Sequence, residues 1–371
     1  MKKAIVCVFL SLIMAVHACT VWVLAPDITT SGKFIIHKTR DRGIWRKLET
    51  KLRWYPGETA GKLRLLEFGD WMYMNEKGMF IFNTNIPKCK DAVKDMEGIA
   101  TTMRYVASQC PDIESALKML KDLVESKEHN IKHTFYIISD HTGAYMVEIS
   151  TTKISYRKVE NGFAVHTNHF FFYDMAHLFI PEDGGIKSAI RLQITNSNLA
   201  KKLAKQGKLS EMDSLETSRF VMPDKQYPEM SPFRTSTVCC ADYLPDTEYP
   251  GILGTLFLTP GPSRYTAAMS VPISIGKIPA PLEDGTLGKL SYQVKDKLPM
   301  NEATLDKFRA LETRLRQEYV ACQENARKLL KENKTDEAKK MLDENVAKQS
   351  DALMQLFKEI LAPFEVKDAA E

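Results

Sequence analysis

The sequence predicts an α+β protein in which two β-sheets are covered by helices. Strand-like segments fill much of the chain between residues 20 and 168, with a helical pattern at 111–127. Helical patterns follow between 185 and 218, and a second group of strand-like segments lies between 236 and 275. Strands and helices that are segregated in this way are typical of α+β folds. After residue 300 the pattern is purely helical.

Composition and charge exclude several classes of protein. The chain is 44% hydrophobic and 26% charged, as expected for a soluble globular protein. Its formal net charge is +4, which is too small to predict a nucleic-acid partner. Beyond the first 18 residues no apolar run is long enough to predict a membrane span. No P-loop or GxGxxG pattern is present, so we expect no cofactor.

The first 18 residues have the layout of a secretory signal peptide. Lys2 and Lys3 precede an apolar run that ends at Val16, and Ala18 supplies a small residue at the end. We therefore expect an exported protein, periplasmic or secreted, whose mature chain begins at Cys19. A cysteine in this position is also where a bacterial lipoprotein carries its lipid, although His17 is unusual before a lipid-bearing cysteine. An ordinary disulfide or core cysteine is the third interpretation.

A mature chain that begins at Cys19 carries its own catalytic pair. The reference pKa of an α-amine is about 7.7 to 8.0 and that of a thiol about 8.5, so the amine can take the thiol proton near neutral pH. Before cleavage the same nitrogen is an amide and cannot act as a base. Removal of residues 1–18 would therefore activate Cys19 as a nucleophile.

The first predicted element is a β-hairpin that begins at this cysteine. Strand-like residues 20–24 and 33–39 flank a segment rich in turn formers, 25–32. The second strand runs into Asp41, which the hairpin can bring back beside the amine of Cys19, where a carboxylate could hold the ammonium form. The same Arg-Asp-Arg stretch could also be a solvated charge cluster at a strand end.

Two asparagines lie near the end of the second of the next two strand-like segments. Segments 62–68 and 71–87 are strand-like, and the second carries Asn83 and Asn85 although asparagine is a poor strand former. Their N–H groups could stabilise an oxyanion, or they could be turn residues before Pro87. Farther along the chain, Cys239 and Cys240 are adjacent on a predicted strand and should point to opposite faces as packing residues.

The C-terminal region predicts an antiparallel helical hairpin. Apolar residues at helical spacing run from Leu305 to Leu329 and again from Leu342 to Ile360. Thr335 is the expected N-cap of the second helix. We therefore predict three parts, the signal peptide 1–18, a main domain 19–295 and a hairpin 300–371. The hairpin either packs against the main domain or forms a homo-oligomer interface.

The order of these features resembles the N-terminal nucleophile hydrolases. Within them it is similar to the group of choloylglycine (bile salt) hydrolases, penicillin V acylases and acyl-coenzyme A:6-aminopenicillanate acyltransferases. The similarity rests on Cys19 followed by Thr20, on the Arg-Asp pair that ends at Asp41, on Asn-Glu-Lys-Gly followed by seven residues to Asn85, on Thr167-Asn168, and on Ser218-Arg219-Phe220. It covers residues 19 to about 275 and implies a four-layer αββα sandwich.

The resemblance also implies roles for individual residues. Cys19 would be the nucleophile, Asp41 would hold its amine, Asn85 and Asn168 would stabilise the oxyanion, and Arg219 would position the thiol. The position of a second family arginine falls on Lys38, with Arg40 two residues on, and Arg191 and Arg234 are alternatives to Arg219.

The implied activity is cleavage of a linear amide bond in a small N-acyl amide or short peptide, through a thioester on Cys19. A dipeptidase of the same superfamily, which also begins with Cys-Thr, and a non-enzymatic lipoprotein are the alternatives. A metal site is not expected, because His166 and His169 would point to opposite faces of a strand.

Overall fold

The computed structural model describes residues 19–42, 50–55, 62–69, 71–126, 130–181, 183–219, 236–299 and 301–368. The predicted signal peptide and Arg234 lie outside these residues, and for Asp41 only the backbone is described.

Thirteen β-strands are present in the described part of the chain. They are β1 Cys19–Leu24, β2 Ile35–Arg42, β3 Leu52–Tyr55, β4 Leu65–Phe68, β5 Met72–Asn75, β6 Phe80–Asn85, β7 Thr134–Asp140, β8 Gly143–Ile149, β9 Ile154–Lys158, β10 Phe163–His166, β11 Ser236–Leu244, β12 Thr255–Leu258 and β13 Met269–Pro272.

The strands form two antiparallel sheets. The first sheet has the order β10-β1-β2-β11-β12-β13, and the second runs β3-β4-β5-β6-β7-β8-β9. In the first sheet the predicted hairpin is present, with Cys19 opposite Arg40 and Leu24 opposite Ile35. Strand β10 pairs with the other side of β1, so the chain after His166 returns to the start of β1. This return determines which residues surround Cys19.

The described helices cover the outer faces of the two sheets and form the C-terminal region. They are α1 Ile99–Gln109, α2 Ile113–Ser126, α3 Asp183–Gln206, α4 Glu211–Ser218, α5 Pro250–Leu253, α6 Ala280–Glu283, α7 Thr286–Lys297, α8 Glu302–Lys331 and α9 Thr335–Asp368. Helices α1 and α2 pack on the second sheet, and α3 and α4 pack on the first. No helix in the described ranges is both long and apolar enough to cross a membrane.

The main core lies between the two sheets. Val21 and Val23 of β1 face it from the first sheet, and Phe80 and Phe82 of β6 face it from the second. The layers are therefore helix, sheet, sheet, helix, which confirms the predicted α+β class and four-layer order. The neighbouring cysteines also behave as predicted, because Cys239 lies in this core and Cys240 lies under helices α3 and α4.

The C-terminal helices α8 and α9 pack against the main domain. Phe308 of α8 and Phe357 of α9 belong to the core between the sheets, and their rings are 5.6 Å apart. Gln349 of α9 bonds to β13, since its Oε1 accepts from the backbone N–H of Ser270 at 2.8 Å and its Nε2 donates to the carbonyl of the same residue at 3.0 Å. The hairpin therefore packs on the main domain.

Candidate active site

Cys19 is the first residue of β1 and is fully buried. Side chains alternate along a strand, so Cys19 points to the same side as Val21 and Val23, into the space between the sheets. Arg40 lies directly opposite Cys19 on β2, and Cys239 lies opposite Arg40 on β11. The thiol therefore begins a row of three residues that face the inside of the sandwich.

Asn168 contacts the backbone nitrogen of Cys19. That nitrogen donates to Asn168 Oδ1 at 2.8 Å, and the other side of the same carboxamide donates from Nδ2 to the backbone carbonyl of Asn85 at 2.7 Å. Asn168 is almost fully buried just beyond the end of β10. Its side chain therefore joins the start of β1 to the end of β6, which belong to different sheets.

Arg191 of helix α3 holds the same two residues from the outer face. Its Nη1 donates to the carbonyl of Cys19 at 2.7 Å and to Thr20 Oγ1 at 3.1 Å, and its Nη2 donates to Asn168 Oδ1 at 2.8 Å. A forked guanidinium suits this task because it presents several N–H groups in fixed directions. Both ends of the Cys19 residue, its nitrogen and its carbonyl, are thereby fixed in place.

Asn85 reaches the site from the second sheet. Its carbonyl accepts from Asn168, while its buried side-chain Oδ1 accepts no hydrogen bond from the described residues. The neighbouring Thr84 donates from Oγ1 to the carbonyl of Thr167 at 2.7 Å. The end of β6 is therefore tied to the segment that carries Asn168, and the carboxamide of Asn85 has an oxygen that this segment does not use.

Two cations follow Cys19 along the inner face. Arg40 lies next to it, and its guanidinium carbon is 5.8 Å from the centre of the Trp71 ring. Lys38 lies two residues away, fully buried, with Nζ 5.3 Å from the ring of Trp71 and 5.4 Å from that of Phe82. Both side chains thus contribute positive charge and ring contacts on the side to which the thiol points.

Cys239 does not compete with Cys19 as a nucleophile. Burial raises the pKa of the Cys239 thiol well above its ordinary value, although Arg40 and Lys38 act in the opposite direction. A thiol whose pKa is raised in this way stays protonated at neutral pH and is a poor nucleophile.

Asp41 follows Arg40 on β2, and its backbone is paired with Thr237 of β11. The hairpin therefore places the backbone of residue 41 one position beyond Arg40, the residue opposite Cys19.

Arg219 lies apart from this group, contrary to the role that the resemblance implied. Its guanidinium forms a bidentate pair with Glu312 of α8, at 3.1 and 2.8 Å, and a further bond to Glu216 at 2.8 Å. Its Nε donates to the carbonyl of Ser263 at 2.7 Å. Arg219 is thus a buried anchor for the hairpin. Among the described residues Arg191, the alternative, is the arginine whose guanidinium bonds to the Cys19 carbonyl.

A second buried pair supports the segment after Asn168. His166 and Glu148 are both fully buried, with Nε2 and Oε1 2.8 Å apart. The same carboxylate accepts from the backbone N–H of Phe171 at 2.8 Å and from that of Phe172 at 3.2 Å. Glu148 is not apparent from the sequence, because an isolated glutamate on a strand gives no sign of a partner 18 residues away.

His169 lies beside the site as a neutral ring. Burial is the main cause that lowers its pKa to about 4, and the charges of His166 and Arg191 act in the same direction. Its Nδ1 lies 2.8 Å from Ser188 Oγ. No group of three or more histidines, cysteines or carboxylates in the described segments is arranged to hold a metal ion.

Comparisons with known proteins support an amide-bond hydrolase or acyltransferase of the N-terminal nucleophile type. Residues 64–248 match the family described as acyl-coenzyme A:6-aminopenicillanic acid acyl-transferase. The match includes Asn85, Asn168 and Arg191 and excludes Cys19 and the C-terminal hairpin. It confirms the resemblance named from the sequence and the prediction of an enzyme.

Solved structures similar to this chain include two variants of a conjugated bile acid hydrolase from Clostridium perfringens. Both are 14% identical to it, and each alignment covers 69% of this chain and 92% of the other, with TM-scores of 0.45 and 0.46. Comparison with curated proteins found no match.

Proposed function

We propose that this protein cleaves linear amide bonds through a thioester on Cys19, after removal of residues 1–18 during export. The observation that carries the proposal is the fixation of Cys19, whose nitrogen is held by Asn168 and whose carbonyl is held by Arg191. A structural cysteine at the start of a strand needs neither contact. A nucleophile that supplies its own base needs its α-amine and its backbone held in a fixed position.

The first half of the reaction forms the thioester. The α-amine takes the proton of the Cys19 thiol, and the thiolate attacks the carbonyl carbon of the substrate amide so that a C–S bond forms. The electron pair of the carbonyl moves to oxygen and gives a tetrahedral oxyanion. When the C–N bond breaks, the ammonium group returns its proton to the leaving nitrogen, and an amine departs.

The second half releases the acyl group. The α-amine takes a proton from water while the oxygen attacks the thioester, the C–O bond forms and the C–S bond breaks. A carboxylic acid leaves and the thiol is restored. A second amine in place of water would give acyl transfer, with the same balance of bonds and protons.

The hydrogen bonds of Asn168 modify the expected roles of the two asparagines. Its Oδ1 accepts from the Cys19 nitrogen and from Arg191, and one N–H of its Nδ2 is used by Asn85. We therefore assign Asn168 chiefly to the amine and only its second N–H to the oxyanion. In this proposal the side-chain N–H groups of Asn85 are the main oxyanion donors. Asp41 assists the amine.

The first prediction concerns Cys19→Ser in the exported, processed protein. The variant should fold, with a midpoint of urea unfolding close to that of the wild type, but lose at least about 10³-fold in kcat because a hydroxyl is far less acidic than a thiol. The assay measures released amine from a panel of glycine-conjugated bile salts, penicillin V and N-acyl amino acids. Cys322→Ser, in the hairpin, is the matched control and should retain activity.

Intact-mass and N-terminal analysis of the same preparation tests the chemistry at Cys19 directly. The proposal requires a mature chain that begins with an unmodified Cys19. A chain that begins elsewhere, or that carries acyl groups on this cysteine, contradicts it and supports the lipoprotein alternative. Wild-type turnover in Cys19→Ser would contradict it equally.

A further inference from the structure

Helix α3 holds the catalytic asparagine through a second residue besides Arg191. Ser188 is fully buried one turn before Arg191, so both side chains lie on the same face of the helix. The backbone N–H of Asn168 donates to Ser188 Oγ at 2.7 Å. Asn168 is therefore bonded to α3 at its backbone and, through Arg191, at its side chain.

The Ser188 hydroxyl also organises the two residues on either side of Asn168. It donates to Thr167 Oγ1 at 2.8 Å, and it lies 2.8 Å from His169 Nδ1. Thr167 Oγ1 in turn donates to the carbonyl of Ser188 at 3.0 Å. Three consecutive residues, 167 to 169, thus contact one hydroxyl, and this hydroxyl has no contact with Cys19 itself in the described hydrogen bonds.

We infer that Ser188 is a positioning residue for the reaction, which sets the orientation of the Asn168 carboxamide relative to the Cys19 amine. This inference rests on the proposed function of Cys19. A loop beyond a strand end has no regular partner for its backbone, so its N–H groups need side-chain acceptors. Ser188 supplies that acceptor. When the N–H of Asn168 is fixed by Ser188 and its Oδ1 by Arg191, the carboxamide has one orientation toward Cys19.

The arrangement has a consequence for the proton transfer. Asn168 Oδ1 accepts from the Cys19 nitrogen, and such a bond is stronger when the donor is an ammonium than when it is a neutral amine. A well-placed Asn168 therefore favours the ammonium form of the amine, against the nearby positive charges of Arg191 and Arg40. An Asn168 that has lost its backbone anchor holds the ammonium less well, so the amine loses its proton at lower pH.

The test compares Ser188→Ala, Ser188→Cys and Ser197→Ala on the processed enzyme, with the best substrate from the amide panel. Ser197 is an exposed serine on the same helix and serves as the matched control. We expect kcat to fall about 10- to 100-fold in Ser188→Ala with KM within about twofold, since misplacement of a catalytic group costs rate rather than binding. The kcat of Ser188→Cys, whose sulfur is a weaker acceptor, should lie between those of Ser188→Ala and the wild type. Ser197→Ala should match the wild type.

The pH dependence separates positioning from a general loss of stability. The acidic limb of kcat/KM should move to lower pH in Ser188→Ala and stay in place in Ser197→Ala. A wild-type kcat and an unmoved acidic limb in Ser188→Ala would overturn the inference while Cys19→Ser stays inactive. If Cys19→Ser is active, the proposed function itself is wrong. If Ser188→Ala does not fold, the acidic limb of kcat/KM is measured in Ser188→Cys instead. An acidic limb at the wild-type pH in that variant overturns the inference.

Discussion

At the scale of single residues, the two arginines have different tasks. Arg191 contacts the Cys19 carbonyl and Asn168, whereas Arg219 pairs with Glu312 far along the chain. Arg191→Met keeps most of the length of the side chain and removes its donors. We expect it to lower kcat by at least about 10²-fold, because both Cys19 and Asn168 lose a fixed contact.

The measurement is steady-state kinetics, together with the rate of Cys19 alkylation by iodoacetamide followed by mass spectrometry. The alkylation rate needs no knowledge of the substrate and reports the reactivity of the thiol. Arg191→Lys restores the charge but not the fork, so it should recover only part of the loss. An alkylation rate and kcat equal to those of the wild type in Arg191→Met would show that this arginine is dispensable.

Some of the residues that lie near Cys19 could be located from the sequence because they mark the ends of strands. Cys19, Asn85 and Asn168 each lie at a strand end, and the structure brings all three together. The arginine could not be chosen in this way. The partner of a long arginine side chain depends on which element packs beside it. Local sequence shows neither that α3 lies near β1 nor that α8 lies near Arg219.

At the scale of elements, the segment after β10 depends on strand β8. Glu148 is the buried acceptor for His166 and for two backbone N–H groups of residues 171 and 172. Glu148→Ala leaves all three donors unpaired in a water-excluded place. The free energy of unfolding should fall by about 3 kcal/mol or more, because each buried donor left without a partner costs about 1 to 3 kcal/mol.

Urea unfolding measures this loss. Glu160→Ala, an exposed glutamate just beyond β9, is the control and should change the free energy of unfolding by no more than about 0.5 kcal/mol. A loss in Glu148→Ala as small as that of the control would mean that the Glu148 contacts contribute little to stability.

Element-scale predictions succeeded where the sequence has clear local patterns of turn-forming and strand-forming residues. The turn formers between residues 25 and 32 predict the β1–β2 hairpin, and the hairpin alone brings residue 41 near the start of β1. Which strand would lie on the other side of β1 was not predictable. That neighbour is β10, which follows β1 by more than 130 residues, and such long-range pairing leaves no local pattern.

At the scale of the whole molecule, the buried pair of Arg219 and Glu312 joins the hairpin to the main domain. Arg219 is 2% exposed and Glu312 is fully buried. Glu312→Leu alone leaves a buried guanidinium with one of its carboxylates missing and should lower the free energy of unfolding by about 3 to 5 kcal/mol. The double variant Arg219→Met with Glu312→Leu should recover most of this loss, because two apolar side chains of similar volume replace the pair.

The same double variant tests whether Arg219 has a catalytic task. We expect its kcat to stay within about threefold of the wild type, since the four described partners of the Arg219 guanidinium include neither Cys19 nor Asn168. A double variant that is stable but inactive would show that Arg219 is needed for catalysis. The sequence predicted the two helices, but the pairing of α8 with Arg219 depends on a contact across 93 residues.

The contact of Gln349 with Ser270 has a further consequence for the molecule in solution. Strand β13 is the last strand of its sheet, and the outward N–H and carbonyl of Ser270 would otherwise be open to any extended chain. The Gln349 carboxamide occupies both groups as a neighbouring strand would, and Pro272 withholds a further donor. The C-terminal helices therefore protect this sheet against edge-to-edge aggregation, and a chain cut short before them would risk self-association even if its catalytic residues were correctly arranged.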